Sequence, residues 1–318
     1  MMMLLALILS VAIIVSSGMG YIHISFGTVF KIIWAKIIGW ERTLSGMDPL
    51  LPVIVYDVRM PRILTSAVVG GGLAMAGVVF QGILLNPLAD PYILGVSGGA
   101  SFATLLGMTA GLSAAVLPGL AWGGALVSIL LVFTLARGEG PWSGTRLLLT
   151  GVVTASGWAA LISLLLTLGP DGSLRGMLFW LIGDLSYARL PAWAPLVLAA
   201  IFGVCMGMAR SLNVLAMGET TARLLGEPTR KLLWVVYLLA SVLTAASVSI
   251  AGNIGFVGLI VPHLMRLLVG SDHRILFPAA ALFGGLFLVL SDTLARTVLA
   301  PRQLPVGVVT ALLGVPLF

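Results

Sequence analysis

The sequence predicts an all-α, polytopic membrane protein with about ten transmembrane helices. Three observations carry this. Of 318 residues, 59% are apolar and only 9% charged, whereas a soluble domain carries roughly 25% charged residues. Mean hydropathy is +1.14. The charges are also clustered, leaving long gaps that can each hold the roughly 20 apolar residues a membrane helix needs. A soluble enzyme, a disordered chain and a disulfide scaffold are excluded. Cys205 is the single cysteine; it can form no internal disulfide and, within an apolar run, reads as buried filler.

The elements follow from the charge-free gaps in order. Met1–Phe30 carries no charged side chain and predicts a span over about 1–20. It lacks a basic start and an A-x-A site, so a retained helix is expected rather than a signal peptide. Residues Tyr21–Trp40 place apolar residues at helical spacing, with Trp34 and Trp40 among lysines, and predict an interfacial amphipathic helix. Ile63–Ala89 gives a span over 63–85. Pro91–Ala136 is too long for one helix and breaks near Gly111–Ser113 and Pro118–Gly119, giving spans over 92–110 and 115–136. Leu147–Pro170 and Leu190–Ala209 give 146–168 and 190–209. Leu232–Met265 contains GNIGFVG at Gly252–Gly258 and splits into 231–250 and 255–270. Ile275–Ser291 and Gln303–Phe318 complete the set with 275–299 and 304–318. Gly95/Gly99, Gly70/Ala74 and Gly72/Ala76 are small-residue pairs at the spacing that lets helix backbones approach. The longer loops are Tyr21–Arg62, Gly169–Arg189 and Ser211–Lys231, and residues 1–318 read as one domain.

Several chemistries are excluded. No GxxxxGK[ST] is present, so this chain holds no P-loop. Three histidines and no acidic cluster give no metal site. Asp292 is the one clearly intramembrane carboxylate, and Arg296 lies one helical turn on, near enough to pair with it; a structural pair and a working pair are both open. Gly95-Val96-Ser97-Gly98-Gly99 matches the nucleophile pattern G-x-S-x-G, with His263 as a conceivable base. That motif needs a preceding strand, which the sequence does not offer, so helix packing is the reading. Nucleic acid is excluded because no stretch concentrates the positive charge. Leu85–Gly99 carries Pro87 and Pro91, which stop helices and force a tight connection. Met217–Pro228, MGETTARLLGEP, predicts a short helix capped by Thr220 or Thr221, with Leu224 and Leu225 on its apolar side. A docking surface and a plain connector both fit.

These stretches together resemble the FecCD-type permeases, membrane subunits of type II ABC importers for iron–siderophore, haem and cobalamin. The resemblance rests on Arg59–Ser101 with NPLADP, Thr145–Val152, Met217–Gly226, Gly255–Pro278 with GLIVPH, and Ser291–Phe318 with LPVGVVTALLG-P. It runs from about residue 55 to the C-terminus; the first 50 residues match poorly. The resemblance implies a multi-pass protein of the bacterial inner membrane, working as a homodimer with two cytoplasmic ABC ATPases and an external, periplasmic binding protein. This chain would then be a transport subunit without catalysis or cofactor, ATP and Mg being bound by the partner ATPase.

By the same resemblance, 218–226 is the coupling helix that enters the ATPase, with Gly218, Glu219, Thr220, Arg223 and Gly226 as its residues. The cytoplasmic gates match Asn86–Leu88 and Ser143–Thr145, with Gly144 where relatives can carry a hydroxyl. Residues matching Arg59, Arg62 and Arg296 receive acidic groups of the binding protein, which predicts an exposed basic rim. With the N-terminus in the cytoplasm, as the family has it, eight basic residues fall inside and nine outside, so charge bias does not set the orientation. The implied cargo is a bulky metal chelate: iron(III)–siderophore first, cobalamin or haem as alternatives. An ion-coupled secondary transporter is the competing class, and it would need intramembrane carboxylates beyond Asp292.

Overall fold

The computed structural model describes residues 1–39, 46–92, 95–136, 144–186 and 188–317, and among them the regular structure is entirely helical. The chain opens with α1 (Met2–Gly18), α2 (Phe26–Ile38) and the single turn α3 (Leu50–Pro52). In α2 the Ser25 hydroxyl caps the first turn by accepting from the Thr28 N–H, and Gly39 ends it at φ +73°. Val29, Ile32 and Ala35 are buried, the first two clustering with Ile24 and Val55, while Phe30 and Trp34 stack outward. This is the expected amphipathic helix; Trp40 lies outside the described residues.

A π-helical stretch, Val53–Arg59, runs directly into α4 (Met60–Leu84). The helix thus begins before Pro61. The wider π turn accommodates a ring that lacks an N–H and would crowd the preceding turn of an α-helix. α5 (Val96–Thr109), α6 (Leu117–Ala136), α7 (Gly144–Leu168) and α8 (Asp171–Ile182) follow. Then come α9 (Trp193–Gly207) and α10 (Ala209–Leu215), α11 (Glu219–Leu224), α12 (Thr229–Ala251), α13 (Val257–Val269), α14 (His273–Thr297) and α15 (Val306–Leu317). α9 and α10 meet at 59°.

Every expected span carries a helix, but among the described residues five helical runs are long and apolar enough to cross a membrane, or six with the bent α9–α10 pair. α5 and α13 have 14 and 13 residues, about 20 Å at 1.5 Å per residue. Of the described residues in the expected 92–110 and 255–270 spans, Tyr92, Gly95 and Ala110, and Gly255, Phe256 and Gly270, lie outside helix. The stretch before α5 and the stretch before α13 meet: the Ile254 N–H donates to the Tyr92 hydroxyl at 3.1 Å, and a Cβ on Gly258 would lie 2.7 Å from the Pro91 ring. Helix α8 was not expected within Gly169–Arg189.

α4 is the centre of the molecule, with Val69 through Gln81 all buried. Small residues let its neighbours touch backbone to backbone. A Cβ on Gly70 would lie 2.3 Å from the Gly284 carbonyl oxygen of α14, and one on Gly77 would lie 1.9 Å from that of Gly258 in α13. Gly99 and Gly124 bring α5 and α6 together in the same way. Cys205 is free and buried, as expected. Ser97 sits buried in the first turn of α5, and among the described residues no strand precedes it, so the strand–turn–helix setting that the hydrolase reading needs is not met there.

Candidate functional site

Three places bring functional chemistry together: the two ends of the helix bundle and a cavity. At the first end, the start of α4 meets the ends of α1 and α14. Arg62 donates through Nε to Asp292 Oδ1 at 2.9 Å and Oδ2 at 3.2 Å, and through Nη2 to Oδ1 at 2.8 Å. Arg296 pairs with Asp292 Oδ2 at 3.0 Å, one turn along α14. Arg59 donates to the carbonyls of Ser17 at 2.9 Å and Ile22 at 2.6 Å. The Thr293 hydroxyl donates to Ser16 at 2.9 Å, tying α14 to α1.

This corrects the expected exposed rim. Arg59, Arg62 and Arg296 do share one end, but they are 7%, 7% and 8% exposed. Their donors go to Asp292, which is fully buried, to Gln303, and to carbonyls at and just beyond the end of α1. Exposed cations at this end include Arg175, Arg189 and Arg302.

The network also reaches a cavity of about 740 Å³ at this end, walled by α8 and by the ends of α5, α6 and α12. Arg62 Nη1 donates to Gln303 Oε1 at 2.8 Å, and the Ser186 hydroxyl lies 3.1 Å from the same oxygen and 2.7 Å from Asp184 Oδ1. Gln303, Ser186 and Asp184 line the cavity together with Arg175, Phe179, Trp180 and Ser249. The Arg175 guanidinium lies over the Phe179 ring at 5.6 Å. Gln303 was not singled out from sequence; its position just before Leu304-Pro305 gave no sign of a buried arginine facing it.

At the opposite end lie the ends of α4 and α13, the starts of α12 and α14, and the short α11. Gly218 at φ +105° and Gly226 at φ +83° bracket α11, conformations that side chains with a Cβ rarely adopt. The expected cap by Thr220 or Thr221 is absent: Gly218 holds the N-cap position and no side chain caps it. Ala222 is buried beneath the helix. Its outer face carries Thr220, Arg223, Leu224 and Gly226, with Leu224 85% exposed. Glu219 pairs with Arg223, and Arg223 Nε also donates to the Thr229 hydroxyl at 3.2 Å. One cation is therefore held upright by two neighbours.

The Asn86 side chain accepts from the Leu88 N–H at 2.9 Å, closing a tight turn that leaves Leu88 exposed. Asp90 accepts from the Tyr92 N–H at 2.8 Å, and burial pushes its carboxyl up to about 6. Gly144 opens α7 and Thr145 is exposed; Ser143 lies outside the described residues. Two polar clusters here were missed from sequence. Gln81 donates to the Leu259 carbonyl at 3.0 Å and accepts from Arg266 at 2.9 Å. Asn213 joins Asp272 and His273. A lone Gln in the charge-free run of α4 was the available signal for the first.

Among the described residues, no group of three His, Cys, Asp or Glu side chains is placed to hold a metal ion. Comparison with known proteins accounts for this architecture. The chain is 43% identical over 282 residues to the cobalamin import system permease protein BtuC of Halobacterium salinarum, covering 86% of this chain and 74% of that protein. It is 36% identical over 322 residues to the molybdate import system permease protein MolB of Haemophilus influenzae, covering 99% and 92%. A solved metal-chelate type ABC transporter in an inward-facing conformation superposes with a TM-score of 0.86 at 32% identity, covering all of this chain and 96% of that one. The protein is thus a non-catalytic, multi-pass membrane permease of a FecCD-type ABC importer, a class of subunit that implies ATPase and binding-protein partners. The match to the FecCD transport family model spans residues 8–318, reaching well into the N-terminal region that the motifs alone left out, and the chain belongs to that family.

Proposed function

We propose that this permease carries an iron(III)–siderophore through a pathway formed with a second copy of itself. The observation behind this reading is the cavity at the arginine end. Its volume of about 740 Å³ lies within the range of roughly 300–1,000 Å³ typical of small-molecule pockets. Its described lining contains no His, Cys or Tyr, so nothing there replaces a ligand of the metal, and the cargo enters already wrapped by its chelator. Phe179 and Trp180 offer flat apolar contact, while Arg175, Ser186 and Gln303 offer polar contact to oxygen-rich groups. Bare molybdate would leave most of this volume unfilled, and haem would find no axial ligand.

In this reading the arginine end is external, and Arg175, Arg189 and Arg302 meet carboxylates of the binding protein. The α11 end is cytoplasmic. There, Glu219, Thr220, Arg223 and the exposed Leu224 enter the ATPase, which binds ATP and Mg; Gly218 and Gly226 set the angle of the helix. The turn at Asn86–Leu88 and the segment Ser143–Thr145 close the cytoplasmic side. The secondary-transporter alternative is disfavoured by Asp292, both of whose oxygens are engaged by Arg62 and Arg296, which leaves no open face for a transported ion. The test is uptake by proteoliposomes holding permease, ATPase and binding protein. ATP-dependent accumulation of radiolabelled iron as a hydroxamate or catecholate complex is expected. Uptake of cobalamin, haem or molybdate with none of the iron chelates would overturn the assignment.

A further inference from the structure

Helix α14 is fastened at both ends. At the arginine end its Asp292 and Arg296 belong to the buried network with Arg62. At the other end one side chain, Asn213 of α10, holds its start. Asn213 Nδ2 donates to Asp272 Oδ1 at 2.7 Å, its Oδ1 accepts from the His273 N–H at 2.9 Å, and the same oxygen lies 2.7 Å from His273 Nδ1. An amide oxygen only accepts, so the neutral His273 ring carries its proton on Nδ1 here. Asp272 in turn caps α14 by accepting from the Arg274 N–H at 3.0 Å, and the hydrogen bonds from Asn213 and Arg274 hold its carboxyl below its ordinary value.

The side of this joint that faces α11 is stiff. Turn bonds close the end of α10, from Ala216 to Leu212, Met217 to Val214 and Gly218 to Leu215, and across the bend at Gly218 α11 starts with the Ala222 N–H on the Gly218 carbonyl. The α14 side is stiff as well. His273 is 3% exposed and packs on Phe277, with Gly82 of α4 so close that a Cβ there would lie 3.3 Å from Nε2. α14 has 25 residues and stays continuous through Pro278, a length of about 37 Å.

We infer that Asn213 is a positioning residue for coupling: it transmits movement of the α10–α11 corner to α14, and α14 carries it to the arginine network at the opposite end. The inference rests on the reading that α11 meets the ATPase. Coupling between two sites is reciprocal, so the same joint carries the signal of a docked binding protein back to the ATPase.

The test uses the complete reconstituted transporter. Asn213→Asp sets two carboxylates against each other and breaks the joint. Adding Asp272→Asn re-forms it with donor and acceptor exchanged, since Asn also caps a helix start well. Asn213→Asp is expected to keep basal ATP hydrolysis and co-purification of the ATPase, while stimulation by the binding protein falls about tenfold, the scale of one charge-assisted hydrogen bond. The double variant restores it. Unchanged stimulation in Asn213→Asp, failure of the double variant to restore it, or loss of the ATPase from the complex would each overturn the inference. Should Asn213→Asp give no folded transporter, Asn213→Ala removes the bonds without adding charge and takes its place, with the same expectation. Arg223→Glu serves as the control for α11 itself: if that variant retains the ATPase, the docking reading fails whatever Asn213 does.

Discussion

Replacing Asp292 with Ala is the most severe single change that the arginine end offers. The carboxylate is fully buried and receives Arg62 at 2.8 Å and Arg296 at 3.0 Å. Removing it leaves two guanidinium groups, 7% and 8% exposed, with no counter-charge and with Arg59 close by. Breaking a buried ion pair from one side costs about 3–5 kcal/mol, and a second stranded arginine places this site at the upper end. Replacing all three residues together, Arg62→Met, Asp292→Leu and Arg296→Met, removes the stranded charges and is expected to cost far less, because well-packed apolar substitutes for buried ion clusters are often neutral. Cys205, the single and fully buried cysteine, provides the assay: its labelling by a maleimide on heating reports opening of the bundle. Asp292→Ala should label several degrees below wild type and the triple variant close to it. Equal labelling temperatures for Asp292→Ala and wild type would refute the argument that this network is a buried, mutually dependent unit.

Further outcomes follow from the other sites. Arg223→Glu repels Glu219 and reverses the exposed charge of α11; a reversal at a partly desolvated contact costs a few kcal/mol, so the ATPase should no longer co-purify while membrane insertion stays normal. Gly77→Ala sets a methyl group against the Gly258 carbonyl oxygen and should destabilise by about 3 kcal/mol or more, at or beyond the top of the usual overpacking range, whereas Gly157→Ala, inside α7 with nothing within 4 Å, should be neutral or stabilise by up to about 1 kcal/mol. Asp90, with its carboxyl pushed up to about 6 against an ordinary value of about 3.9, binds its proton more tightly when folded. Its ionisation therefore lowers stability as pH rises from about 4 to about 6 and changes nothing above that. Asp90→Asn should abolish this slope and stabilise the protein at neutral pH by about 1–2 kcal/mol, after allowance for its part-exposed side chain, as read by thermal melts across that pH range. Charge reversal at Arg175 and Arg302 together should weaken binding-protein affinity at low salt, and the loss should shrink as salt rises; titration of the binding protein onto the reconstituted transporter measures it.

Much of this fold was legible because bilayer burial and charge exclude one another. The charge-free runs located every apolar helix of the expected set, and GNIGFVG marked the break before α13 correctly. Helix α8 escaped because it is short and carries Asp171 and Arg175 at its start, so it read as loop. The depth at which α5 and α13 begin was hidden too: hydropathy does not distinguish irregular apolar backbone from helix. Arg296 next to Asp292 was readable as a one-turn pair, but Arg62 lies 230 residues away in sequence from the same carboxylate. No local pattern announces that meeting, and without it three arginines at helix ends looked like an exposed rim. The joint at Asn213 was hidden for the same reason, since its partners lie about 60 residues downstream.

The shortness of α5, α13 and α15 bears on how the chain enters its membrane. Helices of 14, 13 and 12 residues span about 18–21 Å, against a hydrocarbon core of about 30 Å. None can be released alone into lipid without leaving unpaired backbone groups in the bilayer, which costs several kcal/mol per group. α13 must therefore leave the insertion machinery together with a neighbour that covers the stretch before it, and α4, already threaded, is the helix whose glycines receive it. Biogenesis of this permease is then a matter of pairing segments across the chain before release, and a ribosome stalled after α13 but before α14 would expose an intermediate that membrane quality control can recognise.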